Sequence, residues 1–579
     1  VSLINNKLYN ICFPDSISSQ DAESFIRWTG PIIANKNALF LPKGSSISTD
    51  TYHNLFAVKK VREFTFYNDF LFKVNGTGKC QIELIAIAQT DFYIFEHVIS
   101  IEQFSGTFSA CIDITDQLSN YDALYLKISA YEDVTINSIE IFSNNQIPEN
   151  EVSVAYCICS YNRESYISSF VKDIASHFIG NNNISFYITI NGSPYSIDFS
   201  DNFTVINNRN LGGAGGFTKS IMAALKNKRH SHVILADDDI YIDKTSIYKT
   251  IAILKGLKPE YSDYFISGAM LSGDEKWLQY ERNATLTSKG FIHHGAYEDT
   301  RSKHTAFYSA IAPAYPGIAG WWYCCIPIKV ILEYDLPLPI FVRGDDVEYS
   351  IRCAKNILSF NGICVWHEPF FKKYNEIMED YYLVRNLTII SLIYNQEFSN
   401  IKRQYIFKKF FKNIFIFDYV AAKLNIKALE DILTQQYLLD PELIHKNIVD
   451  YKNKHIDYKE YSGLECSPQK RKHIRKVKLL CRGILQYIFN IKGGNISSLG
   501  GYERNPRYFL GRKRAKIYIG NNTYRLYRFR FVKSWSLIYS FIKCYMKIKK
   551  NNIKLQRDLT SFRDQSAKSE AWNKIFEQK

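Results

Sequence analysis

Three adjacent carboxylates, Asp237, Asp238 and Asp239, directly follow the apolar run His232 to Ala236. Like charges this close repel, and a compact site tolerates them best when a cation or water neutralises them. The end of a buried parallel strand is also where an open sheet presents ligands. Alternation along the chain lets Asp237 and Asp239 face one divalent ion, and hard oxygen donors suit magnesium or manganese. A solvated acidic turn or a helix cap is the plain alternative for an isolated triplet. The position after a buried strand argues against it.

A second acidic group, Asp345-Asp346-Val347-Glu348, follows Arg343-Gly344. Carboxylates in a first helical turn serve as ordinary caps, and that role does not exclude chemistry. An ionised carboxylate can take the proton of a sugar hydroxyl as the sugar is transferred. Asp346 is the better candidate for this base, with Asp345 beside it as the alternative. His367 follows the apolar pair Val365-Trp366. A lone histidine is more often structural, but a neutral imidazole completes a metal site with two aspartates, and manganese accepts that nitrogen better than magnesium.

Two further motifs are softer. The run Asn210 to Phe217, NLGGAGGF, sits between a strand and a helix. Its glycines, Gly212 and Gly213 first among them, permit close backbone approach, and the following helix offers N–H groups to an anion. It matches neither the Walker pattern nor a dinucleotide fingerprint, and a tight turn explains it equally well. Trp321-Trp322 form an aromatic patch that suits either sugar stacking or a core.

The elements that must position these residues follow from periodicity. Residues 1–147 carry short alternating runs such as Leu124, Leu126 and Ile128, separated by turn signals, which predicts a β-sandwich or barrel. The polar stretch Ser143 to Glu151 reads as a linker. Residues 148–400 alternate apolar strands with helices, which predicts an α/β fold with a doubly wound sheet. The helices are expected over Ser165 to Phe178 and Thr218 to Lys226. Residues 401–579 read as mainly helical and basic, with a basic run at 467–480.

The 579 residues, 46% hydrophobic and 22% charged, describe a globular chain long enough for two or three domains. A net charge of +15 favours an acidic partner: nucleic acid, an anionic membrane surface or a phosphorylated substrate. Nucleic acid is not expected, because no reading motif is present and the acidic clusters repel phosphate. Twelve scattered cysteines without metal-type spacing predict a reduced, cytoplasmic compartment. The start VSLINNKLYNICF lacks a secretory pattern and no run of about 20 apolar residues occurs, so a soluble or peripheral protein is expected. Trp535 to Lys550 groups Trp535, Leu537, Ile538, Phe541, Ile542 and Tyr545 with flanking lysines, which fits a helix lying on anionic lipid or one packed on the protein.

The full motif set resembles glycosyltransferase family 2, and more closely the polymerising bacterial galactofuranosyltransferases. It comprises Cys159-Ser160-Tyr161-Asn162-Arg163, the NLGGAGGF run, the aspartate triplet, Trp321-Trp322, Gly344-Asp345-Asp346-Val347-Glu348, Trp366-His367, Tyr381-Tyr382 and Arg385-Asn386. The resemblance covers Val152 to Asn386. It implies a GT-A catalytic domain between an N-terminal β-domain and a C-terminal helical region. It also implies UDP-galactofuranose as donor and peripheral association with the inner face of the cytoplasmic membrane. Asp237, Asp239 and His367 would hold Mn²⁺ or Mg²⁺, and Asp346 would be the base. Arg163 and Asn191 would lie near the uracil, and Asp238, Asn210, Gly212 and Gly213 would join the nucleotide-sugar site. Trp321 and Trp322 would meet the donor and acceptor sugars. Asn191 stands where the family usually has aspartate, and Gly344 where a bulkier residue is usual. The expected acceptor is a glycan or lipid-linked glycan, and a homo-oligomer is compatible with the sequence. Other donors, dTDP-rhamnose or UDP-galactopyranose, would use the same carboxylates.

Overall fold

Leu124, Leu126 and Ile128 are fully buried and Lys127 is half-buried, as the alternation predicts. Tyr125 departs from it, because the helix Lys303–Ala310 covers the outer face of that strand. The structure is a computed structural model that describes residues 6–90, 93–114, 120–143, 148, 150–197, 199–287, 290–368, 374–394, 402–462, 483, 485–490, 505–506, 509–520 and 523–578. The basic run 467–480 and most of the expected linker lie outside these residues.

Two antiparallel sheets build the N-terminal part. One runs Ile33–Asn35, Ala38–Leu41, Val134–Ser143, Phe70–Thr77, Thr107–Ile114, with Asn6–Asn10 also paired to Val134–Ser143. The other runs Arg27–Thr29, Ser46–Ser48, Ala123–Ala130, Cys80–Gln89, Ile94–Phe104. Their inner faces share one apolar cluster that continues without a break into the following α/β sheets, through Val154, Ile158 and Ile234 of one and Val365 of the other.

The catalytic sheet has the order Phe203–Asn208, Ile184–Asn191, Val154–Ser160, His232–Asp237, Cys324–Pro327, Phe265–Ser267, Ile357–Leu358. The first four strands are mutually parallel and Cys324–Pro327 is antiparallel. Every residue of Ile184–Asn191 is buried, as expected for a parallel strand covered on both faces. Helices Glu164–Asp173 and Gly212–Lys226 connect the parallel strands. A second sheet runs Ile240–Ile242, Cys364–His367, Ala269–Ser272, Leu278–Glu281, Glu298–Asp299. This is the expected α/β plan, with parallel strands joined by helices.

Two helices differ from expectation. Glu164–Asp173 ends early, and a separate 3₁₀ turn covers Ala175–Phe178. The other begins at Gly212, six residues before the predicted start. Gly216 is required where the helix lies against the sheet: a Cβ there would sit 2.1 Å from Cys159 Sγ.

The C-terminal part is mainly helical and adds a three-stranded antiparallel sheet, Lys459–Ser462, Thr523–Arg528, Arg514–Gly520. Its last helix, Ser569–Glu577, returns to the catalytic unit. Trp572 is fully buried there and donates from Nε1 to the Pro337 carbonyl at 2.8 Å.

The helix Phe531–Lys550 corrects the expected membrane face. Leu537, Ile538 and Phe541 point into the protein, Phe541 stacking on Phe410 at 3.9 Å between centroids. The exposed stripe keeps Trp535 and Ile542 of the expected face and adds Val532, Tyr539 and Met546. Among the described residues no helix is long and apolar enough to cross a membrane, and the cysteines are all free.

Candidate active site

Asp237 ends the strand His232–Asp237, and the chain then crosses into the second sheet at Ile240, which pairs with His367. This switch between sheets carries the imidazole to Asp237, from which it is 130 positions away in sequence (367 minus 237). His367 Nε2 lies 3.1 Å from Asp239 Oδ1 and 3.8 Å from Asp237 Oδ2. One donor atom from each of the three residues falls within 4.8 Å of the others. His367 Nδ1 is 2.5 Å from the Glu368 carbonyl, which can only accept, so Nδ1 carries the proton. In the neutral ring the Nε2 lone pair therefore faces the two aspartates. That tautomer, held by a backbone carbonyl, is the one a metal-ligating histidine needs. The donor set fits one divalent ion.

Asp238 turns the other way. It accepts from Ser160 Oγ and from Arg163 Nη1, both at 2.7 Å, and Arg163 Nη1 also lies 2.6 Å from Asp239 Oδ2. The guanidinium thus spans the triplet from the side. Ser160, at the end of the central strand, belongs to the motif Cys159 to Arg163, but the sequence assigns it no role of its own.

Asp345 and Asp346 open the helix Asp345–Cys353, capped by Gly344 at φ 88°. Asp346 Oδ1 accepts from the Val347 N–H at 2.8 Å. Burial raises the Asp345 carboxyl, with the Asp346 charge adding to the push. Burial raises Asp346 as well, opposed by the Val347 N–H and the Arg343 charge. Burial pushes Asp237 up to about 7; His367 pulls it back, while Asp239, Asp238 and Asp346 add to the rise. The two acidic groups therefore lie close enough for their charges to act on one another, which favours a cation beside them.

The other expected residues are close by but mostly engaged with protein. Asn191 is buried, donating to the Gly212 carbonyl and accepting from Asn208 Nδ2, both at 2.9 Å. Asn210 Oδ1 accepts the Gly212 N–H at 3.1 Å. The Ala214 N–H is taken by the Phe341 carbonyl at 3.0 Å, so the glycine run is in part a packing device. Gly213 lies closest to the second acidic group: a Cβ there would come 3.4 Å from Asp345 Oδ2. Trp321 and Trp322 are only 5% and 9% exposed, which leaves little open ring face for a sugar. Trp321 packs edge-on against Phe217 and Tyr349, and Trp322 Nε1 donates to the Gly268 carbonyl. Core packing is what the structure gives this pair.

A cavity of about 820 Å³ opens beside these strand ends. Tyr161, Gly192 and Asn210 line its sheet side, and His445 and Lys446 of the helix Pro441–His455, with its N-cap Asp440, line the other. Arg209 fixes that helix, reaching Asp440, Glu442 at 2.9 Å and the Ile575 carbonyl at 2.6 Å. No local sequence signal ties Arg209 to a helix more than 200 residues later.

No family model matches the chain. The galactofuranosyltransferase GlfT2 of Mycobacterium tuberculosis (strain ATCC 25618 / H37Rv) is 22% identical over 435 residues, which cover 69% of this chain and 67% of that protein. The GlfT2 of Mycolicibacterium smegmatis (strain ATCC 700084 / mc(2)155) is 22% identical over 428 residues, covering 69% and 65%. The chain thus spans about two thirds of the length of these relatives. Among solved structures, the mannosyltransferase PcManGT from Pyrobaculum calidifontis in complex with GDP-Man and Mn²⁺ aligns with a TM-score of 0.29 and 11% identity, over 53% of this chain and 87% of that one. S. aureus TarS aligns with a TM-score of 0.32 and 14% identity, over 52% and 54%. The chain's sequence resembles the galactofuranosyltransferases, as the motifs predicted.

Proposed function

We propose that the chain is a metal-dependent, inverting hexosyltransferase that moves galactofuranose from UDP-galactofuranose to a glycan or lipid-linked glycan in cell-surface polysaccharide synthesis. The observation that carries this reading is the meeting of Asp237, Asp239 and His367 within 4.8 Å, with the charge of Asp346 acting on Asp237. Those three residues would hold Mn²⁺ or Mg²⁺, and the imidazole donor favours Mn²⁺. The bound ion supplies charge neutralisation for the departing diphosphate. The nucleotide has room in the cavity beside Tyr161, Gly192 and Asn210. Arg163 and Ser160 hold Asp238 and so fix the turn that carries the flanking aspartates.

Asp346 takes the proton of the acceptor hydroxyl as that oxygen bonds to the anomeric carbon and the bond to the diphosphate breaks. A carboxyl raised towards neutrality is a more effective base than a fully acidic one. Attack opposite the leaving group inverts the anomeric centre.

The exposed stripe Val532, Trp535, Tyr539, Ile542 and Met546 supports docking on an anionic membrane from the cytoplasmic side. Lys543, Lys547, Lys549 and Lys550 share its helix, and each lysine near such a surface contributes about 1 kcal/mol.

The test is donor turnover by the purified protein with Mn²⁺ over a panel of UDP-galactofuranose, UDP-galactopyranose and dTDP-rhamnose. Selective, EDTA-sensitive turnover of the first, with an inverted product, is expected. Preference for another donor would reassign the sugar, and no turnover of any would overturn the reading.

A further inference from the structure

Asp239, one of the three residues that meet around the candidate metal position, also lines a cavity of about 450 Å³. Trp366 and Glu368, the sequence neighbours of His367, line it too. Its size is that of an ordinary ligand pocket, and it shares no lining residue with the 820 Å³ cavity.

The aromatic side of this cavity is built in advance. Phe25 stacks on His53 at 4.0 Å between centroids, His53 stacks on Trp366 at 5.7 Å, and Trp366 meets Tyr241 at 5.5 Å. Trp366 Nε1 donates to the Lys276 carbonyl at 3.0 Å, which fixes its ring. Lys36 Nζ donates to the Tyr241 hydroxyl at 3.0 Å and lies 3.1 Å from Asp15. Lys36 sits in the turn between Ile33–Asn35 and Ala38–Leu41, so the N-terminal β-part holds the end of the column that reaches the cavity. Tyr166, on the helix Glu164–Asp173, adds a second ring, with the Arg163 guanidinium 6.0 Å from its centroid. Tyr166 and Tyr241 are 49% and 43% exposed, which leaves ring surface for a ligand.

The lining residues include four acidic ones, Asp173, Asp239, Asp274 and Glu368, against one lysine, Lys276. That balance repels a phosphate or any other anion. A further cation is disfavoured because Arg163 and Lys36 already stand beside the two rings. A sugar ring meets both features of the wall. Its C–H face packs on an electron-rich aromatic face, and its hydroxyls donate to carboxylates. Asp173 ends its helix, where an acidic side chain opposes the dipole, and no hydrogen bond or ion pair engages it among the described residues.

We propose that this cavity binds a neutral sugar residue of the acceptor glycan, stacked on Tyr166 and Tyr241 with Asp173 taking its hydroxyls. The inference rests on the reading of the chain as a sugar transferase centred on Asp237, Asp239 and His367. Both rings are about half exposed, so the wall leads outward from Asp239. That suits one residue of a glycan chain better than the single sugar held on the donor diphosphate.

Saturation-transfer NMR on the full chain with a neutral galactofuranose oligosaccharide, in EDTA and without donor, tests the site directly. The wild type should saturate the ring protons, and Tyr166→Ala/Asp173→Asn, which alters two exposed side chains, should do so much less. Equal saturation by both proteins overturns the proposal. Tyr241→Phe keeps the ring and should bind much as the wild type does, whereas Tyr241→Ala should not; equal signals from these two variants overturn it as well. A sulfated form of the oligosaccharide should give a weaker signal than the neutral one, and an equal or stronger signal counts against the acidic lining and overturns the proposal. In transfer assays the double variant should raise acceptor KM by roughly tenfold, with kcat and donor KM changing far less. A rise in donor KM of the same size assigns the cavity to the donor and overturns the proposal. Donor turnover by a wild type that shows no oligosaccharide saturation sinks only this inference, whereas no turnover of any donor sinks the transferase reading.

Discussion

Asn386 donates from Nδ2 to the Arg343 carbonyl at 2.8 Å, and the same nitrogen reaches the carbonyls of Val342 at 2.8 Å and Ile340 at 3.0 Å. Arg385 Nε donates to Asn386 Oδ1 at 2.9 Å and fixes the orientation of the amide. The loop they clamp contains Phe341 at φ 73°, Arg343 at φ 66° and Gly344 at φ 88°. Left-handed residues of this kind persist only where their surroundings hold them. The aim of Asp345 and Asp346 therefore depends on a side chain that touches neither. Asn386→Asp keeps the shape but turns an acceptor towards three carbonyls. It should lower kcat by about a hundredfold, as a small misplacement of a catalytic group does, with donor KM little changed. Wild-type kcat in a folded Asn386→Asp protein would remove the clamp from the mechanism.

Asp346→Asn is nearly isosteric and cannot take a proton. It should bind donor normally and lose roughly a hundredfold or more in turnover. The Val347 N–H can still be accepted by the amide oxygen, so thermal stability should move little. If Asp345→Asn gives that phenotype and Asp346→Asn does not, the base is Asp345.

Asp237→Ala and Asp239→Ala should each abolish Mn²⁺ binding read by electron paramagnetic resonance, and transfer with it. His367→Ala should lose less, because both carboxylates remain to hold the ion. Full activity of Asp239→Ala in EDTA would end the metal hypothesis.

Lys60 gives a pH-dependent signature far from this chemistry. It is buried, donating to the carbonyls of Ala312 and Ser359, and burial, with Arg282 adding, pulls its pKa down to about 7. The neutral amine has two N–H groups, enough for both carbonyls. Between pH 7 and the unfolded value near 10.4 the unfolded chain binds the extra proton, so stability rises with pH across that window. The Tm of the wild type should climb relative to that of Lys60→Met between pH 7 and 9. Parallel curves would show that Lys60 is charged in the fold.

The membrane prediction uses the stripe that is exposed. Val532→Ser/Tyr539→Ser/Met546→Ser should reduce flotation on anionic vesicles, and raised salt should weaken what remains. Undiminished flotation would clear this helix of the role.

The aspartate triplet and His367 were legible because each follows a short apolar run, and a strand end in an α/β sheet is a fixed address; Asp345-Asp346 was legible only as an acidic pair after Arg343-Gly344. What surrounds them was not. The glycine run reads as a loop, since nothing local reveals that Cys159 presses against Gly216 and demands a helix without side chains. Trp321-Trp322 reads equally as a sugar platform or a core, and only the packing of Phe217 and Tyr349 decides it. The expected membrane helix has apolar residues all round, so periodicity could not tell which stripe Phe410 would cover.

The bond from Arg209 to the Ile575 carbonyl spans 366 positions, and the one from Trp572 to Pro337 spans 235. Contacts of such separation form slowly, because a long loop must close before any of them is rewarded. During synthesis the apolar surface around Ile331, Leu336 and Tyr349, which Trp572 finally covers, stays open while more than 200 further residues are added. That interval exposes the nascent chain to aggregation and to chaperones. The contact of Ile575 with Arg209, which also holds the helix lining the larger cavity, is therefore made well after the aspartates have emerged.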